Sequence, residues 1–312
     1  MKRKIKKQTQ TKQKIEKIVP DFINKFLDYQ KYIKKENGSE NTIQAYKSDI
    51  YYFFEWLKVN KNVDVITLDA LNTLVIQDLH DWITSMKVSA STKARKISTI
   101  HSLFRYLNLM NFSDSEVAKK LHKPKLPKDN RAKYLTREVA TKLKNTVFEK
   151  GSELDYAIIM VFLNSGVRIS ELVNLNLNSL DGKILTVYKS KGGKSRQIAV
   201  SQETVDAVKR YLKVRPKIKD NTLFVLDYFN GEPYRITKTS VENMIEKYRI
   251  MCKIKHLTPH TLRHTFATMK REAGVSLDTL KDLLGHESIR TVLIYAQTTL
   301  EEKERVADLG SI

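Results

Sequence analysis

Apolar residues recur at helical spacing along most of the chain and alternate at strand spacing in one short stretch. From Pro20 to Met110 the pattern is helical throughout. In DFINKFLDYQKYIKK, Phe22, Phe26, Tyr29 and Ile33 make one stripe, which Gly38 ends. NTIQAYKSDIYYFFEWLKVN is amphipathic and opens with Asn41 and Gln44 at capping-box spacing. A third helix, LDALNTLVIQDLHDWITSM, is predicted behind a Thr67 cap, and a fourth, SASTKARKISTIHSLFRYLNLM, starts polar and basic and ends apolar. Four helices of this length make a small bundle. From Asn111 to Lys133, Pro124, Pro127 and the basic run HKPKLPKDNRAK predict an extended linker.

Thr136 then caps TREVATKLKNTVFEKG. The run Asp155 to Leu163 predicts an apolar helix, closed by a turn at Asn164–Gly166, with a new helix starting near Arg168. KILTVYKSKGGKSRQIAV reads as a β-hairpin around Gly-Gly, with Lys189, Lys191 and Lys194 at its tip. SQETVDAVKRYLKVR is a capped helix, TLFVL a short strand, Asn230–Gly231 a turn, and ITKTSVENMIEKYRIMCKI a further helix. In HLTPHTLRHTFATMKREAGVSLDTLKDLLGHESIRTVLIYAQTT, Thr258 caps a helix with Pro259 at its first position. Gly274 stops that helix, Ser276 caps the next, Gly285 ends it, and a third runs from Ser288 to Tyr295.

Composition narrows the partner. At 312 residues the chain is long enough for two cores, and 41% hydrophobic content is that of a soluble globular protein. A net charge of +21 points to a polyanion: DNA, RNA or an anionic membrane. No basic amphipathic helix stands apart from a core pattern, which disfavours the membrane. The single cysteine, Cys252, forms no internal disulfide and suits a reducing cytoplasm. The apolar run Tyr156 to Leu163 is far too short to span a bilayer, and the basic N-terminus lacks the apolar core of a secretory signal. Residues 1–19 read as a basic flexible arm, able to touch a nucleic-acid backbone or to stay a solvated tail.

Two helix starts carry groups suited to phosphates and base edges: Thr42, Gln44 and Lys47 in the second helix, and Ser91, Thr92, Lys93, Arg95 and Lys96 in the fourth. A second set carries chemistry. His260 and Arg263, three apart, share a face of one helix's first turn, where unpaired N–H groups suit a phosphate. Arginine offers a charged planar fork to two phosphate oxygens, tyrosine an oxygen nucleophile, and histidine proton transfer near neutral pH. Arg168, between two apolar helices, is either a third phosphate ligand or an ion-pair partner of Glu171. No carboxylate cluster suits magnesium, so fixed cations would take the place of a metal and no cofactor is expected.

VRISEL, SKGGK, HTLRH, LLGHES and Tyr295, in that order, resemble the signature boxes of the tyrosine recombinases, the phage-integrase family. The nine-residue step from His286 to Tyr295 and the short tail after it are similar to the Xer-type members. The resemblance covers nearly all the chain from about Pro20. It implies a mainly α fold with a small β-sheet: an N-terminal four-helix SAM-like core-binding domain over 20–110, a linker over 111–133, and an α+β catalytic domain over 134–312. It implies that Tyr295 attacks the scissile phosphate and becomes a 3′-phosphotyrosine. Arg168 and Arg263 would hold the non-bridging oxygens, His286 would hydrogen-bond the same phosphate, and His260 would assist proton transfer at the nucleophile. Lys191 would be general acid toward the leaving 5′-oxygen, with Lys194 the alternative, and Glu171 the acidic residue behind the arginines.

The reaction implied is ATP-independent, metal-free strand exchange through a Holliday junction. It would run in a tetramer on two DNA sites, built from this chain alone or with a second recombinase. The tail EEKERVADLGSI, with Val306, Leu309 and Ile312, would dock on a neighbouring protomer, and the setting would be nucleoid DNA in the cytoplasm. The biology implied is chromosome or plasmid dimer resolution, or mobile-element integration or excision. The competing readings are a type IB topoisomerase and a non-cleaving architectural DNA-binding protein.

Overall fold

The computed structural model describes residues 21–33, 40–63, 66–113, 116–122, 124, 133–188, 195–229, 232–285 and 292–295. The chain divides into two compact units, 1–128 and 129–312.

The first unit is helical among its described residues: α1 (Asp21–Ile33), α2 (Glu40–Lys61), α3 (Leu68–Asn72), α4 (Ile76–Ser85) and α5 (Ala90–Leu109). Its core is the apolar stripes read from the sequence, centred on Phe26, Phe53, Leu57, Trp82, Ile100 and Leu103. α2 starts at Glu40, so Asn41 lies inside the helix rather than capping it, and Gly38 falls outside the described residues. The expected third helix is two. Asp78 accepts the backbone N–H of Val75 at 2.9 Å, which opens a new helix start there, while Leu74 turns into the core. A second difference lies in the expected linker. Val117, Ala118 and Leu121 sit in the core around a 3₁₀ turn at Val117–Lys120, because burying three apolar side chains outweighs the extended preference around them.

The second unit is organised on α7 (Glu153–Ser165), apolar all round and buried from Tyr156 to Phe162. Around it pack α6 (Arg137–Lys150), α9 (Gln202–Val214) and α11 (Pro259–Glu272); α8 (Ile169–Leu172), α10 (Lys238–Met251) and α12 (Leu277–Leu284) complete the described helices. Caps at Thr136, Ser201, Thr258 and Ser276 each accept a backbone N–H from the third residue on. The hairpin forms as β2 (Ile184–Val187) and β3 (Arg196–Ala199), with β1 (Leu180–Asp181) on the far side of β2, all antiparallel. Leu185 and Val187 point inward and Ile184 outward, as period-two alternation requires. The hairpin tip, with Lys189, Lys191 and Lys194, lies outside the described residues. The expected strand TLFVL starts late, as β4 (Val225–Phe229), and pairs with β5 (Glu232–Arg235), which periodicity did not reveal. The mostly helical fold with a small sheet agrees with expectation.

Candidate active site

The site is built where four chain segments of the second unit converge on one carboxylate. α7 ends at Gly166, whose φ of +60° is the left-handed conformation that glycine adopts without strain. A Cβ there would lie 2.3 Å from Phe266 Cδ1, so the turn is held against α11 as well as reversed by glycine. Two residues on, Arg168 precedes α8, and Glu171 accepts the Arg168 backbone N–H at 2.7 Å and its Nη1 at 3.0 Å. Both sequence readings of Arg168 therefore meet in one residue: it pairs with Glu171, yet its side chain stays 37% exposed.

Arg196, at the start of β3, supplies the second cation. Its Nη1 and Nη2 donate to the two Glu171 oxygens at 3.0 and 2.7 Å, and its Nε donates to the Leu283 carbonyl at 2.8 Å. Sequence reasoning passed over Arg196. Its signal was register: it stands opposite Val187 in the hairpin.

Arg263 is 3% exposed on α11, and its fork is held by neutral carbonyls. Nη1 donates to Gly166 O at 2.5 Å and Nη2 to Leu284 O at 2.6 Å, while Glu171 stands 4.0 Å away. Leu284 is the last residue of α12, so the negative end of a helix faces the guanidinium. Gly285 follows at φ +63°, and a Cβ on it would come within 2.8 Å of Arg196 Nη1. The Gly285 that precedes His286 thus closes a helix and makes room for an arginine.

Three guanidinium groups share one carboxylate, and the electrostatics record it. Burial works against ionisation of Glu171, but hydrogen bonds and charge from Arg196, then Arg168, outweigh it and hold the carboxyl at about 2. Arg263 is pulled down to about 10, by burial first and by the like charge of Arg168 second. It remains cationic at neutral pH, in surroundings that an arriving anion would relieve.

Tyr295 lies in a 3₁₀ turn, Leu293–Tyr295, 7% exposed, in a small cluster with Phe266, Ala267, Leu280, Leu284 and Val292. Burial raises its phenol to about 12, with Arg263 opposing. Its hydroxyl is hydrogen-bonded to Nδ1 of His264, a residue not singled out from the sequence although it stands in HTLRH. His264 is half-buried and pushed down to about 4 by burial, then by His260 and Arg263. His260, one turn earlier, stacks on it with ring centroids 5.9 Å apart. Its own pKa is lowered by desolvation among its neighbours, then by Arg263 and Arg168. The structure thus brings together Arg168, Glu171, His260, Arg263 and Tyr295. Lys191, Lys194, His286 and the tail from 296 fall outside the described residues. Among the described residues no group of three His, Cys, Asp or Glu side chains could hold a metal ion.

The chain matches the model of the phage integrase family over residues 133–302, and that of its N-terminal SAM-like domain over 23–110. The chain belongs to the phage integrase family. Its relatives are tyrosine recombinases of Xer type. A tyrosine recombinase XerC of Caldanaerobacter subterraneus subsp. tengcongensis is 33% identical over 298 residues, covering 88% of this chain and 82% of the relative. A tyrosine recombinase XerC of Thermodesulfovibrio yellowstonii is also 33% identical, over 92% and 95% of the two chains. In fold, the chain resembles the XerH site-specific recombinase bound to its difH substrate in a pre-cleavage complex, with a TM-score of 0.66 and 20% identity over 86% of this chain and 79% of that one. This tyrosine recombinase is therefore an enzyme of site-specific recombination, and neither competing reading gains support.

The expected DNA-contacting residues sit on α2 and α5 of the first unit. Gln44 and Ser91 are exposed, while Thr42, Lys47 and Thr92 are half-buried. Lys47 lies 5.7 Å from the Tyr51 ring, and Thr92 shares a hydrogen bond with Ser89 at 2.9 Å. Lys93 and Lys96 turn inward, while Arg95 stays exposed. Lys93 Nζ donates to Ile83 O at 3.0 Å, and Lys96, 7% exposed, donates to Asp49 at 3.1 Å with its ammonium 3.9 Å from the Tyr52 ring centroid. Arg95 pairs with the other Asp49 oxygen, to which Thr99 also donates at 3.0 Å. Asp49 was overlooked in the sequence, although an acid beside Ile50 and Phe53 in an apolar stripe signals a buried partner. Among the described residues, no helix is long and apolar enough to cross a membrane.

Proposed function

We propose that this tyrosine recombinase cuts and rejoins duplex DNA at a specific site through a 3′-phosphotyrosine on Tyr295. What supports the reading is the arginine cluster around Glu171 beside that phenol: an excess of fixed cations, one of them held at the carbonyls of Gly166 and Leu284. The transition state for attack at phosphorus adds negative charge to the non-bridging oxygens, and donors already in place stabilise it without reorganising. Arg168 and Arg263 take those oxygens, Arg196 and Glu171 fix the guanidinium planes, and His286 adds a hydrogen bond to the same phosphate. His260 serves proton movement at the nucleophile's end, and Lys191, or Lys194 in its place, protonates the leaving 5′-oxygen. The phosphotyrosine stores the bond energy, so a partner strand's 5′-hydroxyl reverses the step without ATP.

The domain limits proposed are an arm over 1–19, a core-binding domain over 20–110, a linker over 111–133 and a catalytic domain over 134–312. Within the core-binding domain, Thr42, Gln44, Lys47, Ser91, Thr92, Lys93, Arg95 and Lys96 lie along the DNA-facing side. Two sites and four protomers, alike or shared with a second recombinase, carry exchange through a Holliday junction. The tail reaches a neighbouring protomer, and the DNA is that of the nucleoid in the cytoplasm.

The test is a suicide DNA substrate bearing the chain's own site, incubated with excess chelator. Wild type is expected to form a covalent protein–DNA band that Tyr295→Phe lacks while binding the DNA normally. Cleavage by Tyr295→Phe, or cleavage only with magnesium, overturns the reading.

A further inference from the structure

The resemblance assigns proton work at the nucleophile to His260, but the side chain in contact with the phenol is another. His264 follows Arg263 directly and lies one helical turn beyond His260 on α11. Its Nδ1 is hydrogen-bonded to the Tyr295 hydroxyl, and the two rings lie 5.6 Å apart at an interplanar angle of 53°. Phe266 and Ala267 of the same helix pack in the cluster that buries Tyr295.

We propose that His264 is a positioning residue for strand cleavage, whose Nδ1 accepts the Tyr295 hydroxyl hydrogen and so aims the attacking oxygen. The inference rests on Tyr295 being the nucleophile, and goes beyond that reading by naming what orients it. A phenol O–H can lie to either side in the ring plane, and only an acceptor in a fixed direction chooses where its lone pairs point. His264 is suited to this for two reasons. Its backbone lies in the helix that carries Arg263, so acceptor and phosphate-binding fork share one rigid frame. The ring is also neutral near pH 7, and its Nε2–H tautomer leaves Nδ1 a lone pair to offer. The phenol stands far above the imidazole in pKa, about 12 against about 4, which makes the contact an aiming hydrogen bond rather than a proton already transferred.

The test compares His264→Ala and His264→Asn in single-turnover cleavage of the suicide substrate at saturating protein, after wild type and Tyr295→Phe have been run as controls. Asparagine places a short acceptor close to the position of Nδ1 but cannot take up a proton at neutral pH. His264→Ala is expected to bind DNA as wild type does and to cleave about 10²-fold more slowly, the scale of a misaimed reacting group. His264→Asn is expected to recover to within about tenfold of wild type, since one neutral hydrogen bond is what has been replaced. Wild-type or faster cleavage by His264→Ala overturns the proposal; faster cleavage would mean that the contact withholds the phenol. A His264→Asn chain that binds DNA but stays as slow as His264→Ala also overturns it. Cleavage by Tyr295→Phe would instead remove the reading beneath it.

A second readout needs no activity. With nitrogen-15 in the seven histidines, Tyr295→Phe should move the Nδ1 resonance that is lost in His264→Asn. An unmoved resonance overturns the proposal even if His264→Ala fails to fold.

Discussion

Each unit buries one carboxylate among basic side chains, and the two clusters differ in what holds the cations. In the first unit, Asp49 is fully buried and takes Lys96 and Arg95 directly on its two oxygens, with Thr99 as a further donor. Both cations there bond the acid directly, and the cluster ties α2 to α5. In the second unit, Glu171 takes the fork of Arg196 in the same saturating way, but Arg263 is held at Gly166 O and Leu284 O. Carbonyl dipoles position a guanidinium without cancelling its charge. The first cluster sets two cations on one carboxylate, whereas the second sets three arginines around one and keeps more charge for an anion still to arrive. Buried basic residues are therefore told apart by the charge of their acceptors rather than by their burial.

The sharpest way to break this contrast is to remove the acid of the first cluster. Asp49→Ala leaves the Lys96 ammonium buried without its carboxylate, and should cost the first unit about 3 kcal/mol or more in a denaturation experiment. The double change Asp49→Leu with Lys96→Met should recover most of that loss. Were Asp49→Ala instead as stable as wild type and unable to cleave, the two clusters would not differ in kind.

A smaller effect comes from acid. Glu171 has its pKa depressed to about 2, so its ionised form stabilises the folded state above its unfolded value, about 4.3. That contribution should disappear as pH falls from about 4.3 toward about 2, with about 1.4 kcal/mol for each unit of the difference as its upper scale. A folded Glu171→Gln variant should lose this part of the pH dependence in thermal melts. An unchanged acid limb would show that Glu171 is not the ion holding the arginines.

Much of this is legible in the sequence. Caps at Thr136, Thr258 and Ser276, the stop at Gly285 and the Ile184–Val187 hairpin strand follow from local chemistry that residues three or four apart settle between themselves. The motif order brought Arg168, His260, Arg263 and Tyr295 forward as a set. Harder to read were features set by partners distant in sequence. Arg196 finds Glu171 across 25 positions and Lys96 finds Asp49 across 47, and neither separation leaves a periodic trace. The break at Thr73–Val75 was hidden because Leu74 continues the apolar pattern while Asp78 restarts the helix. His264 escaped notice because its role depends on a tyrosine 31 residues away.

The measurement closest to the central claim pairs Arg263→Ala with a substrate whose scissile phosphate is replaced by a neutral methylphosphonate. On the natural phosphodiester, Arg263→Ala should slow cleavage by about 10²–10³-fold at saturating protein, the scale of one lost transition-state donor. On the methylphosphonate, with one charged oxygen gone, the same substitution should cost little. An equal cost on both substrates would mean that Arg263 shapes the site without answering the charge of the phosphate, and would contradict the account.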